Sequence, residues 1–333
     1  MQKMLCQLFA LIIATTGSVK SSGEPIRCEG HAGGVSAIAF SPDGELVVSC
    51  GGKGLVRIWN ATDGSEVRRL SVLPPDSDGI VSDAAFSPDG RFVAVAASRQ
   101  PISFWNVTTG AKQQQSIAVD RAAHDLAYSP DGSKLAVAEY AAVKIWDLER
   151  HALVQEFKFD GVHIGLAWRV AYSPDGLLLA AALHDYGASI SPKEPKVRAW
   201  NALTGEIAFT AWSGRSSSAV GISPDGSLLA AASGGTVEVW NLHSRKSLLR
   251  LAADEHAIFC LAFSPGGKTI ATGGNDSKIK LWDSTTGKRV GLLKGHEGQV
   301  RGLCFSKDGK AMVSHGTDAA VLIWTLTTDA TRE

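Results

Sequence analysis

Residues 257–293 carry a repeating alternation of apolar runs and turns. Residues 257–263 (Ala-Ile-Phe-Cys-Leu-Ala-Phe) are apolar, and Ser264-Pro265-Gly266-Gly267 then reverses the chain. A short run at 269–272 follows, then the turn Gly273-Gly274-Asn275-Asp276, then strict alternation from Lys278 to Trp282. Thr286-Gly287 turns the chain again into residues 289–293. Short β-prone runs bounded by Gly, Pro and Asp predict four consecutive antiparallel strands.

The same cycle recurs along most of the chain. Tryptophan returns at Trp59, Trp105, Trp146, Trp200, Trp240, Trp282 and Trp324, spaced by 46, 41, 54, 40, 42 and 42 residues. In alternation with it, Ser-Pro-Asp-Gly stands at 41–44, 87–90, 129–132, 173–176 and 223–226, and degenerates at 264–267 and 306–309. In such a turn Pro presets φ, Asp tolerates the following position and Gly takes the left-handed conformation. A single four-stranded unit of about 42 residues cannot bury both of its faces, whereas seven arranged radially can.

These residues resemble the WD-repeat family over residues 24–326: Gly30-His31 and Gly295-His296, Trp146-Asp147 and Trp282-Asp283, and the Ser-Pro-Asp-Gly turns all keep register. The resemblance implies an all-β fold, a seven-bladed β-propeller of four-stranded antiparallel blades. It also implies a hydrogen-bonded tetrad of His, Ser or Thr, Asp and Trp inside a blade. Blade six would supply His256, Thr272, Asp276 and Trp282, and blade seven His296, Ser314, Asp318 and Trp324. Blade one keeps His31, Ser49 and Trp59 but has Lys53 in place of the Asp. Blades two to five show no such set and are expected to be held by packing alone. Trp324 falls in a third strand near the end of the chain, so residues 24–29 are expected to supply the outer strand of blade seven and close the ring. Residues 327–333 then form a tail.

In up-and-down blades alternate loops lie at opposite ends of the ring. The Ser-Pro-Asp-Gly turns and the turns after Trp share one plain end. Every long loop falls at the other: 73–79, 160–166 and an insertion at 184–196. Binding residues concentrate on irregular loops held by a rigid scaffold, so this rim, over blades two to four, is the candidate site. Trp168 and Trp212 lie outside the repeat and are expected to face it. Tyr186, Lys193 and Lys196 come from the insertion. By analogy with the family, His124, Trp168, Phe259 and Arg301 mark the mouth of the inner strands, with Arg99, Glu139 and Asn275 around them.

Charge narrows the function. Lys and Arg number 33, as do Asp and Glu, giving a net charge of zero. That argues against nucleic acid as a partner, because phosphate binding needs a basic surface. The five cysteines are scattered single residues, read as small buried hydrophobes. The sequons at Asn60, Asn106 and Asn275 coincide with turns and are read as turn residues. Phosphate loops, nucleophile elbows and His-Glu-x-x-His are absent from the sequence, and neither a cofactor nor a resident metal is expected. The reading is a non-catalytic platform for a protein or peptide. The alternative is an exported hydrolase or lyase acting at the channel mouth, which would need convergent acids or a metal at the blade two-to-four rim, where His124, His163, His184 and Asp185 could converge. Residues 1–23, with Lys3, an apolar run and small residues at 15–18, read as a secretory signal peptide or amino-terminal tail. Export to a periplasmic or extracellular space is therefore expected, with a cytoplasmic protein as the alternative.

Overall fold

A computed structural model describes residues 18–31, 33–74, 76–120, 122–159, 165–185, 196–211 and 217–328. Each Trp-to-Trp cycle folds as a meander of antiparallel strands. In blade one these are Val35–Phe40, Leu46–Gly51, Leu55–Asn60 and Glu66–Ser71, paired in chain order. Seven such sheets stand radially. Their inner strands are Val35–Phe40, Val81–Phe86, Ala123–Tyr128, Gly165–Tyr172, Ala219–Ile222, Ile258–Phe263 and Val300–Phe305. Each packs on the next, and the last packs on the first. The core is accordingly divided into one apolar cluster per blade junction, from the blade one–two cluster around Ile58 and Val95 to the blade seven–one cluster around Trp59 and Ile323. Each repeat tryptophan packs into the junction with the preceding blade, as Trp200 does with Phe157 of blade three, ring centroids 4.7 Å apart.

The plain end is rigid for a local reason. Ser41 Oγ donates to the Asp43 carboxylate and accepts the Leu46 N–H at 2.9 Å, while Asp43 also accepts Glu45 N–H at 3.0 Å. Gly44 takes φ +80°, which favours glycine. The Ser-Pro-Asp-Gly repeats keep this arrangement. In the turns after Trp, Asn60 and Asn106 accept backbone N–H groups from Thr62 and Thr109, so both side chains serve the turn.

Blade seven closes as expected, with one addition. Ile26–Cys28 pairs antiparallel with the third strand Val321–Thr328, Ile26 opposite Ile323 and Cys28 opposite Val321. A further strand, Val19–Ser21, pairs with the far half of the same strand, Val19 opposite Thr328 and Ser21 opposite Leu326. The outer strand of this blade is thus built in two pieces on either side of Gly23-Glu24-Pro25. Sheet pairing therefore begins before residue 24 and extends beyond residue 326.

The tetrads divide. In blade seven Trp324 Nε1 donates to Ser314 Oγ at 2.8 Å, Ser314 meets His296 Nε2 at 2.8 Å, and His296 Nδ1 reaches Asp318 at 3.0 Å. Blade one keeps His31, Ser49 and Trp59 linked at 2.7 Å each. Blade six corrects the expectation. Trp282 donates to Thr272 at 3.0 Å, but His256 is exposed and takes no part through its ring. His31 and His296 precede their serines by 18 residues; 18 before Thr272 stands Asp254, and His256 lies two positions too late. Asp254 accepts the N–H groups of His256 and Asp276, while the Asp276 carboxylate pairs with Lys280 at 2.8 Å.

Lys280 belongs to a pattern. Two residues before the repeat Trp stand Arg57, Lys144, Arg198 and Lys280 in blades one, three, four and six, against Leu322 in blade seven, whose tetrad is complete. Arg57 bonds the Gly30 carbonyl and Glu66, Lys144 pairs with Asp120 and with Glu139 at 3.2 Å, and Lys280 bonds the Ala253 carbonyl. Blade three is therefore stapled by a buried Lys144–Glu139 ion pair, with Asp120 joining Lys144 from the surface, and not by packing alone.

Candidate binding site at the channel mouth

The inner strands determine what faces the axis. In six of them the register slips near the start, between Val35 and Ala37, Val81 and Asp83, Ala123 and Asp125, Ala167 and Arg169, Ile258 and Cys260, and Val300 and Gly302. Each slip is a bulge that leaves one residue outside the ladder and re-aims its side chain. The bulged residues are Ser36, Ser82, His124, Trp168, Phe259 and Arg301, and Ser218 precedes the inner strand of blade five. All seven line one cavity of about 600 Å³ at the loop-elaborated end of the axis, together with His184 and His315.

Two of the seven are committed to the scaffold. Ser82 Oγ donates to Ala123 O and Ser218 Oγ to Ile258 O, each at 2.6 Å, tying one blade to the next. The aromatic and basic members form two stacks. Trp168 lies between two imidazoles, with His124 at 5.7 Å and 21° and His184 at 6.2 Å and 42° between rings. Across the mouth the Arg301 guanidinium covers the Phe259 ring at 3.9 Å and donates to Gln299. Burial, and then the Arg169 charge, hold the His124 imidazole below its ordinary range, so it is neutral at pH 7.

One residue deeper the strands present Ala37, Asp83, Asp125, Arg169, Ala219, Cys260 and Gly302 to the channel. Three consecutive blades carry charge here, and each carboxylate clamps its successor. Asp83 accepts Leu126 N–H at 2.7 Å; Asp125 accepts Val170 N–H at 2.8 Å and Arg169 Nη1 at 2.7 Å. Burial, reinforced by the nearby Asp125 charge, raises Asp83 to about 7. Burial pushes the Cys260 thiol to about 12, against the pull of Arg169 and Arg301. His315, 1% exposed, fills the space left by Gly302, where a Cβ would run into its imidazole. Neither ring nitrogen makes a hydrogen bond of standard geometry; burial lowers this histidine to about 3, with the Val35 backbone opposing the shift.

Of the residues singled out from the sequence, His124, Trp168, Phe259 and Arg301 converge on the mouth. Arg99 stands exposed on the same end, at a turn with φ +57°, but does not line the cavity. Glu139 and Lys196 require correction. Glu139 is 2% exposed because Lys144 holds it inside blade three. Lys196 is also 2% exposed: its carbonyl accepts Leu183 N–H, so the ladder of blade four already includes it. Asn275 accepts from Gln299. Tyr186, Lys193 and Trp212 lie outside the described residues, as do His163 and the side chain of Asp185. The Trp168 ring stands between His124 and His184, and among the described residues no group of three or more His, Cys, Asp or Glu is placed to hold a metal. Asp83, Asp125, Arg169 and His315 went unnoticed in the sequence. A charged residue four positions before Ser-Pro-Asp-Gly in three successive units was the signal that could have found the first three.

Comparison with known proteins agrees with this architecture. The family model described as "WD domain, G-beta repeat" matches residues 23–60, 67–100, 209–241, 245–283 and 287–325, more than half of the chain. The chain is 27% identical over 135 residues to small ribosomal subunit protein RACK1z of Oryza sativa subsp. japonica, covering 40% of this chain and 26% of that protein. It is 25% identical over 131 residues to small ribosomal subunit protein RACK1 of Medicago sativa, covering 39% and 26%. The matched stretch thus spans about a quarter of each relative. With its repeats, closed ring and matched units, the chain belongs to the WD-domain, G-beta repeat family.

Proposed function

We propose that this protein is a non-catalytic interaction platform that presents the loop-elaborated end of its channel to a protein or peptide partner. The observation that carries this reading is the bulged position of the inner strands. It is structurally repeated in six blades, yet Trp168, Phe259 and Arg301 fill it with side chains that stack above the channel instead of filling the core. Large aromatics and arginine, held by a rigid scaffold around a pocket of this size, are the side chains that dominate interface energetics. Distant likeness to ribosomal-subunit proteins supports the same class of role. Export is part of the proposal: cleavage within residues 15–18 would leave the strand Val19–Ser21 available for blade seven.

The test is cross-linked affinity capture from the native host with wild type, a Trp168→Ala, Phe259→Ala double variant, and Ile207→Ser as a control. Ile207 is 57% exposed on the outer strand of blade four. A partner retained by the control and lost with the double variant supports the platform and its site. Equal recovery on all three overturns the mouth as the site. The amino terminus of the captured native protein, determined by mass spectrometry, tests export; one that still begins at Met1 contradicts it.

A further inference from the structure

The mouth is chemically one-sided. Among the described residues lining it there are two arginines, Arg169 and Arg301, three histidines and three serines, and no Asp, Glu or Lys. The chain as a whole carries equal numbers of acids and bases, so a 600 Å³ cavity without an acidic lining residue departs from its surroundings.

The two arginines are not equivalent. Arg169 is neutralised from below by Asp125, at 2.7 Å. Among the described residues Arg301 has no such counter-ion: its polar partner there is the neutral Gln299 side chain, and its guanidinium lies over Phe259. Stacking uses the face of the guanidinium; of the N–H donors on its edge one serves Gln299, and the others are left for a ligand. It also denies Phe259 to any incoming cation, since that aromatic face already holds one. Trp168, in ring contact with His124 and His184, lines the same cavity across the mouth from this edge.

Resting on the platform reading above, we infer that the mouth receives an extended protein segment through a single carboxylate side chain, Asp or Glu, that pairs with Arg301 while a neighbouring apolar residue lies against Trp168. Charge balance selects a carboxylate. One uncompensated guanidinium matches one negative charge, whereas a phosphate dianion would require a second cation and Arg169 is already engaged. A basic segment would find no acidic partner in the described lining and would face Arg301.

Random linear peptides displayed on phage, panned against the full chain, test this. The best binders are then synthesised and titrated against wild type, Trp168→Ala and Arg301→Glu, with circular dichroism verifying that each variant is folded. The expected result is an acidic residue beside an apolar one, and affinity lost about tenfold or more on Arg301→Glu. A Glu→Lys peptide should regain affinity on Arg301→Glu, and a Glu→phosphoserine peptide should bind wild type no better than the parent. Binders that depend on Trp168 but lack an acid, or ignore Arg301→Glu, overturn the carboxylate inference and leave the platform standing. Tighter binding of the phosphoserine peptide overturns the choice of a monoanion. Failure to obtain any binder dependent on Trp168 or Arg301 counts against both.

Discussion

Arg169 of blade four reaches back to Asp125 of blade three, Nη1 to Oδ1 at 2.7 Å, while the other carboxylate oxygen takes Val170 N–H at 2.8 Å. One buried side chain thus joins two blades by a charge pair and a backbone bond. Replacing Arg169 with Leu strands a buried carboxylate, and breaking such a pair from one side costs about 3 kcal/mol. Urea denaturation should show that loss for Arg169→Leu. The double variant Asp125→Asn, Arg169→Leu should recover most of it, because Asn can still accept Val170 N–H. Equal stability of Arg169→Leu and wild type would show that the pair adds nothing to the junction.

Asp83 gives the channel a pH dependence of unusual sign. Burial keeps its proton on up to about pH 7 in the folded protein, while the unfolded chain releases it near the ordinary aspartate value. Between those values the unfolded state binds fewer protons, so this residue's contribution to stability falls as pH rises from about 4 to 7. Asp83→Asn, which can still accept Leu126 N–H, should therefore stabilise the protein at pH 8, by on the order of 1–3 kcal/mol. The gain should vanish towards pH 4. Denaturant curves at both pH values check it, and a pH-independent difference would assign the effect to something other than titration.

The two histidines read as equivalent from the sequence should separate cleanly. His296 sits at the centre of the blade seven network, bonded to Ser314 and Asp318, so His296→Ala leaves buried groups unpartnered and should cost about 2–3 kcal/mol. His256→Ala removes an exposed ring and should stay within about 0.5 kcal/mol of wild type. Thermal unfolding of the two variants side by side decides. Similar losses would restore His256 to the blade six network.

The fold was legible because its markers meet the conformational and hydrogen-bonding needs of the local turn. Ser41, Pro42, Asp43 and Gly44 each have one job in a hairpin, and the job repeats with the blade. The channel was less legible. His124, Trp168, Phe259 and Arg301 could be placed by counting along the inner strands, but the bulge that turns them into the mouth leaves no residue-type signature. His256 misled because a Gly-His pair is absent from blade six and the nearest histidine stood two residues out of register. Glu139 and Lys196 misled because charge was taken as exposure. Glu139 is buried by Lys144, a partner five residues on, and Lys196 by the ladder of blade four, which extends to it.

The two-piece outer strand of blade seven makes a graded prediction about ring closure. Val19–Ser21 is a short edge strand whose Lys20 is exposed. Starting the chain at Glu24 removes it, and the loss should be about 1–2 kcal/mol, or a few degrees in Tm. Ile26–Cys28 differs in kind. Cys28 is 2% exposed in the cluster with Trp59, Val321 and Ile323, and Ile26 packs against it. Starting the chain at Gly30 takes these away and bares the backbone of Val321–Ile323, opening the ring at a junction where one chain end must hold the other. One buried and one half-buried apolar side chain, with three paired residues, should cost about 4 kcal/mol or more. Thermal melts of chains beginning at Met1, Glu24 and Gly30 read the gradient. A collapse already complete on starting at Glu24 would move the closure from Ile26–Cys28 to Val19–Ser21, whereas near-native melting from Gly30 would show that blade packing alone keeps the ring shut.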